Sequence, residues 1–202
     1  MSEEVNIFEY PCMDDREIAF IEGFLSEDKD FLEFGSGGST FYFSDKVRKL
    51  ISVEHDKYWC QQMTQKITEK KVANVEILFA QPDSSWVSSE CPWNFRGVQF
   101  SSYIKAPEFI RRNFPDFNFD VVLLDGRARV ECAKFIYPYL NDDAVVIMHD
   151  YIDRHRYYAI LDWYEEVDSI KTGKSALAVR RKNSEHIMNK FFKGFPDEIF
   201  AD

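Results

Sequence analysis

A three-layer α/β fold, with helices on both faces of a mostly parallel seven-stranded sheet, is predicted by three features of this 202-residue chain. Short apolar runs ending in turns alternate with segments of helical composition, the pattern of successive β-α-β units. The run 31–34 stops at Gly35-Ser36-Gly37-Gly38, a strand opening into a glycine-rich turn. Two later runs, 50–54 and 119–125, end in Glu54 and Asp125, at strand ends of the kind where open α/β sheets place their ligands.

In chain order, Asp14 and Asp15 cap a helix to about Leu25 whose Ile18, Ala19, Ile21 and Leu25 make a partly apolar face. Residues 1–28 are therefore an N-terminal helical segment, with Pro11-Cys12-Met13 either a packed turn or an approach to a ligand. In the turn 35–38 the glycines permit positive φ and leave no Cβ between main chain and ligand. Ser39 and Thr40 open a helix through about Lys46 whose free N–H groups face the same spot. The second strand, 50–54, ends in a carboxylate placed to accept from two ribose hydroxyls. A helix over 57–71 and a strand over 75–79 complete the first half of the sheet. Residues 81–109 are long for a connection, carry Trp86, Trp93, Phe100 and Tyr103, and read as a substrate-side cover with a short helix over 101–110. Those aromatics are equally compatible with a homodimer surface.

The clearest strand, 119–125, is followed by a helix to about Leu140, and a fifth strand, 144–148, ends at His149-Asp150-Tyr151. A helix is expected from Arg154 to about Glu166. The runs 167–171 and 176–180 then pair across Thr172-Gly173-Lys174, giving the sheet an antiparallel edge strand. Residues 184–202 are expected to form a last helix and a tail.

At this length one domain is expected, able to bury about 70% of its unfolded surface. Four widely spaced cysteines, no C-x-x-C pair and a polar start point to a reducing, cytoplasmic setting. No apolar run approaches the roughly 18 residues of a membrane span. A formal net charge of -10 argues against a nucleic-acid partner, whose binding needs phosphate neutralisation.

Residues 32–40, Leu-Glu-Phe-Gly-Ser-Gly-Gly-Ser-Thr, together with Val53-Glu54-His55-Asp56, resemble class I S-adenosylmethionine-dependent methyltransferases, a Rossmann-like family. The dinucleotide fingerprint would place a third glycine where Thr40 stands. The resemblance implies S-adenosylmethionine as cofactor, its methionine end held by Glu33, Gly35, Ser36, Gly37, Gly38 and Ser39. Glu54, next to His55, would take the ribose, and Gln81 or Asp83 the adenine; Asp83 reads equally as a helix cap.

In catechol-like and macrolide-sugar O-methyltransferases, which the layout resembles, metal-binding acids follow the fourth and fifth strands. Here Asp125 and His149-Asp150 stand there, where the family has an Asp-Asn pair after the fifth. Asp125 and Asp150 would hold Mg2+, or His149 would act as base, so Asp125, His149 and Asp150 are the catalytic candidates. Arg127 and Arg129 either clamp an anionic substrate group or pair with an acid. Arg127, Trp86 and Trp93 are the substrate-binding candidates. The Asp/Asn-Pro-Pro-aromatic motif of methyltransferases acting on bases is absent after the fourth strand. The expected activity is O-methylation of a small-molecule or sugar hydroxyl, with a non-catalytic binding protein or a nicotinamide-dinucleotide enzyme as alternatives.

Overall fold

The computed structural model describes residues 10–83, 100–152, 154–171 and 175–182. Seven strands of these residues form one sheet: β1 (Asp30–Phe34), β2 (Lys49–Glu54), β3 (Val75–Phe79), β4 (Val121–Leu124), β5 (Val145–His149), β6 (Tyr164–Ile170) and β7 (Ala176–Arg181). Their order is β3-β2-β1-β4-β5-β7-β6. Strands β1 to β5 pair parallel with one another, and β7 runs antiparallel to both β5 and β6. Parallel neighbours need crossovers, which α2 (Gly38–Ser44), α3 (Lys57–Lys70), α4 (Ser101–Ile104), α5 (Ala106–Asn113) and α6 (Arg129–Ile136) supply. Helix α1 (Asp15–Glu22) precedes the sheet, closed by a capping box in which Asp14 accepts from the Glu17 backbone and Glu17 from the Asp14 backbone.

Two apolar layers follow from strand alternation. Val121, Leu123, Val145 and Ile147 face Ile18, Ile21, Phe43 and Ile67 on α1 to α3. Val122, Leu124, Val146 and Met148 face Tyr103, Ile110, Ala133 and Ile136 on α4 to α6. Strands buried on both faces lack a polar face, which is why these runs read as continuously apolar. Because sequence-adjacent β1 and β2 lie to one side and β4 and β5 to the other, the switch point of the sheet falls between the β1 and β4 tips.

Two expectations need correction. The segment expected to be a helix over 154–166 is a 3-10 run, His155–Asp162, and β6 has already begun at Tyr164. Tyr157, Ile160 and Trp163, all buried, recur every third residue, the 3-10 repeat rather than the α one. Cross-strand pairing of Glu165 with Arg180 then favours strand over helix. The helix expected over 101–110 is broken into α4 and α5 at Lys105, two residues before Pro107, whose ring suits the first turn of α5. The turn 172–174 and the final helix and tail lie outside the described residues. Among the described residues no helix is long and apolar enough to cross a membrane.

Candidate active site

At the tips of β1 and β2 the turn 35–38 is tied down from two sides. From below, Glu33 accepts from the hydroxyls of Ser39 and Thr40, each at 2.5 Å, and of Ser52 at 2.7 Å. Two of these hydroxyls pass the tether onward: Thr40 Oγ1 accepts from the Gly37 N–H at 2.9 Å, and Ser36 Oγ lies 2.8 Å from Ser52 Oγ. From the β2 side, Glu54 accepts from the Ser36 N–H at 3.0 Å and from the His55 and Asp56 N–H groups at 2.8 and 2.7 Å. Trp59 Nε1 donates to the Ser36 carbonyl at 2.6 Å. Glu33 is thus placed under the turn, fully buried, as its anchor. Thr40, whose side chain breaks the dinucleotide fingerprint, serves here as a link in that anchor.

The glycines divide their work. Gly35 has φ 103, and a Cβ there would lie 2.8 Å from Gly126 Cα, so the β1 and β4 tips touch backbone to backbone. A Cβ on Gly38 would lie 1.9 Å from the Tyr10 carbonyl oxygen. Gly38 therefore admits the chain's own N-terminal segment at Tyr10, just before Pro11-Cys12-Met13. At Gly37 a Cβ would meet, among the described residues, only Ser39 Oγ, at 3.9 Å, which leaves that backbone open to them.

Burial pushes the Glu33 carboxyl from the ordinary 4.5 up to about 7, against the pull of its three hydroxyl donors. Between those two values the native state keeps a proton that the unfolded chain has released, so stability is fullest below 4.5 and falls as pH rises to 7. The loss from this group is on the order of 3 kcal/mol. Glu33→Gln keeps the shape without the titration. Denaturant titrations across that window should show wild type losing stability relative to the variant as pH rises; parallel curves would contradict the shifted carboxyl.

The second cluster joins β4, β5 and α1. His149 donates from Nδ1 to Asp125 Oδ1 at 2.8 Å, and its Nε2 faces Glu17 Oε2 at 3.4 Å. Its burial lowers the imidazole pKa, but the hydrogen bond and charge of Asp125, with Asp150 and Glu17, outweigh it and raise the net value above 6.5. Only 2% of the His149 side chain is exposed, against 27% of Asp125. The expectation that His149 meets a substrate is therefore corrected: its nitrogens are directed at two carboxylates, and Asp125 is the member of the pair that reaches solvent. Glu17 was missed by sequence reasoning. The D-x-x-E spacing from Asp14 marks it as a capping residue, but its second partner is 132 positions away in sequence, beyond any local signal.

Arg129 locks this cluster. It donates from Nε to the Gly126 carbonyl at 3.0 Å, from Nη1 to the His149 carbonyl, and from Nη2 to the Asp125 carbonyl at 2.7 Å. The same Nη2 lies 3.1 Å from Asp125 Oδ1 and 3.2 Å from Asp150 Oδ2. Of the two roles open to Arg129, the structure shows pairing with an acid, and the acids are Asp125 and Asp150. Asp150 holds a left-handed backbone, φ 56, braced by its N–H to the Ser175 carbonyl at 2.9 Å.

Asp125, His149 and Asp150 offer donor atoms within 4.8 Å of one another, which is the spacing of a metal site. They do not fit Mg2+. The ion needs an octahedron of oxygens, and the gap between the two carboxylates is filled by a guanidinium within 3.2 Å of both, while the nitrogen donor is spent on Asp125. The expected Mg2+ at Asp125 and Asp150 is corrected on this ground.

Asp83 accepts from the Ser101 N–H at 3.0 Å, bracing the start of α4. His55 lies beside Glu54, its ring edge-on to Phe100 and Tyr103. Arg127 is half-buried between Glu54, Arg129 and Tyr157, its guanidinium pKa lowered by burial and by the charge of Arg129. Trp86 and Trp93 lie outside the described residues. A cavity of about 580 Å³ opens between β3 and α5, lined by Val53, Leu78, Phe79, Ala106 and Phe109; no catalytic candidate lines it.

Solved structures share this architecture. A methyltransferase-like protein from Silicibacter pomeroyi matches with TM-score 0.65 at 24% identity, over 92% of this chain and 96% of its own. The fold is the Rossmann-like methyltransferase fold. An rRNA methylase from Streptococcus thermophilus shares it with TM-score 0.55 at 9% identity, over 84% of this chain and 98% of its own. So does a ribosomal protein L11 methylase from Lactobacillus delbrueckii subsp. bulgaricus, with TM-score 0.55 at 12% identity, over 83% of this chain and 77% of its own. No protein-family model and no curated protein matches the chain.

Proposed function

We propose that this protein is an S-adenosylmethionine-dependent methyltransferase acting on an oxygen of a small molecule or sugar. The observation that carries the reading is the carboxylate of Glu54 at the β2 tip, holding the Ser36 N–H of a glycine-rich turn whose Gly37 backbone is open, beside the sheet's switch point. The neighbours that act on rRNA and on a ribosomal protein lend the fold but not the acceptor, and the net charge of -10 favours an acceptor other than nucleic acid. Binding of S-adenosylmethionine fits the open turn and Glu54, and supplies a methyl group already activated on a sulfonium. The chain's own work is then to orient the acceptor, exclude water and take its hydroxyl proton. Asp125 is the base, since it is the more exposed carboxylate of the cluster. Its oxygen would take the proton of the acceptor hydroxyl, which leaves the hydroxyl oxygen able to accept the methyl group the cofactor would supply. His149, held between Asp125 and Glu17, fixes its orientation.

Calorimetric titration with S-adenosylmethionine, S-adenosylhomocysteine and NAD tests the cofactor. Micromolar binding of the first two, unchanged by a chelator, is expected; heat from NAD alone would replace the reading with the dinucleotide one. Asp125→Asn should bind S-adenosylhomocysteine as wild type does and lose about 100-fold or more in methyl transfer to hydroxylated acceptors. Cofactor binding with no transfer by wild type to any acceptor would favour the non-catalytic alternative.

A further inference from the structure

Tyr157, buried beside the Asp125–Asp150 pair, stands among three guanidinium groups. The carbons of Arg156, Arg129 and Arg154 lie 5.0, 5.6 and 5.8 Å from its ring centre. Its hydroxyl oxygen accepts from Arg156 at 3.3 Å and from Arg154 at 3.5 Å. Guanidinium groups only donate, so the tyrosine's own O–H proton is left to be donated elsewhere. Burial alone would raise the phenol pKa, yet the charge of Arg129 and the hydrogen bonds of Arg156 and Arg154 bring it below 10. The ring thus senses surplus positive charge, in a chain whose net charge is -10.

That surplus is not answered by the cluster's own acids. Asp125 and Asp150 are engaged by Arg129, and Asp150 is shared with Arg154 at 3.1 Å. Arg156 is exposed and meets no carboxylate among the described residues. Like charges gathered beside one phenol, two of them on the exposed Arg154 and Arg156, are what a bidentate oxyanion recognises.

We propose that Arg154, Arg156 and Tyr157 form an oxyanion subsite beside Asp125 and Asp150, which holds a carboxylate or phosphate carried by the methyl acceptor. The acceptor part of this inference rests on the methyltransferase reading; the oxyanion site itself does not.

The test is calorimetry on the full chain with inorganic phosphate, glucuronate and glucose as probes, each with and without S-adenosylhomocysteine and against chloride at matched ionic strength. Wild type should bind at least one oxyanion and not glucose. Arg156→Gln, an exposed change expected to leave the melting temperature in place, should weaken that binding about 10-fold or more while S-adenosylhomocysteine binds as before. Preference for phosphate or for glucuronate assigns the acceptor's charged group. No oxyanion heat above chloride, or equal affinity in Arg156→Gln, overturns the subsite even if S-adenosylhomocysteine binds. Oxyanion binding without S-adenosylhomocysteine binding leaves the subsite standing and removes the methyltransferase reading instead.

Discussion

Arg129→Leu should destabilise the protein by on the order of 3–5 kcal/mol, the range found when one partner of a buried ion pair is removed. The leucine fills much of the volume but returns none of the polar contacts. Carbonyls of Asp125, Gly126 and His149 lose their donor, and the Asp125 and Asp150 carboxylates face each other without the cation that separates them. Because these groups sit at the carboxyl ends of β4 and β5 and the start of α6, the loss should appear in global unfolding rather than in local fraying. For a domain of this size it amounts to a fall in melting temperature of roughly 10 °C. Arg129→Lys should recover part of the loss, since an ammonium restores the charge but cannot span three carbonyls and two carboxylates. An Arg129→Leu variant within about 1 kcal/mol of wild type would contradict the lock.

Gly126→Ala should also be severely destabilising, and a second substitution should relieve it. A Cβ at Gly126 would lie 2.0 Å from the Tyr103 hydroxyl oxygen and 2.9 Å from the Phe34 carbonyl oxygen. Tyr103 is wholly buried and packs edge-on against Phe34, so its hydroxyl cannot simply swing aside. Overpacking of this kind costs about 1–3 kcal/mol, and backbone on the opposite side places it at the upper end. Tyr103→Phe removes the nearest obstructing atom. In a double-mutant cycle the Gly126→Ala penalty should therefore shrink by about 1 kcal/mol or more in the Tyr103→Phe background. Additive effects would mean that the contact with Phe34, not Tyr103, sets the cost. S-adenosylhomocysteine titration of the single variant should show weakened binding as well, because Gly126 abuts Gly35 at the floor of the cradle.

Strand and turn positions at the cradle were legible in the sequence because their causes are local. The apolar run of β1, the glycine turn and the acid ending β2 each lie within a few residues of the feature they explain, and β3 falls over Val75–Phe79 as expected. Alternation and turn chemistry act at that range. The 3-10 run before β6 was misread as helix because its three-residue repeat of Tyr157, Ile160 and Trp163 also satisfies one arm of the α-helical pattern, and the choice was made by β6 pairing with β7. What the tertiary structure decided was which polar groups satisfy one another. Glu33 became the anchor of the turn when Ser52, from the neighbouring strand, closed over it. His149 was withdrawn from solvent by Glu17, and Asp125 and Asp150 were turned from metal ligands into partners of Arg129. The physical reason is the same in each case. A carboxylate or imidazole at a strand tip has the same sequence signature whether it faces water, a ligand or a buried guanidinium, and only packing of distant segments assigns its partner and with it its charge and reach.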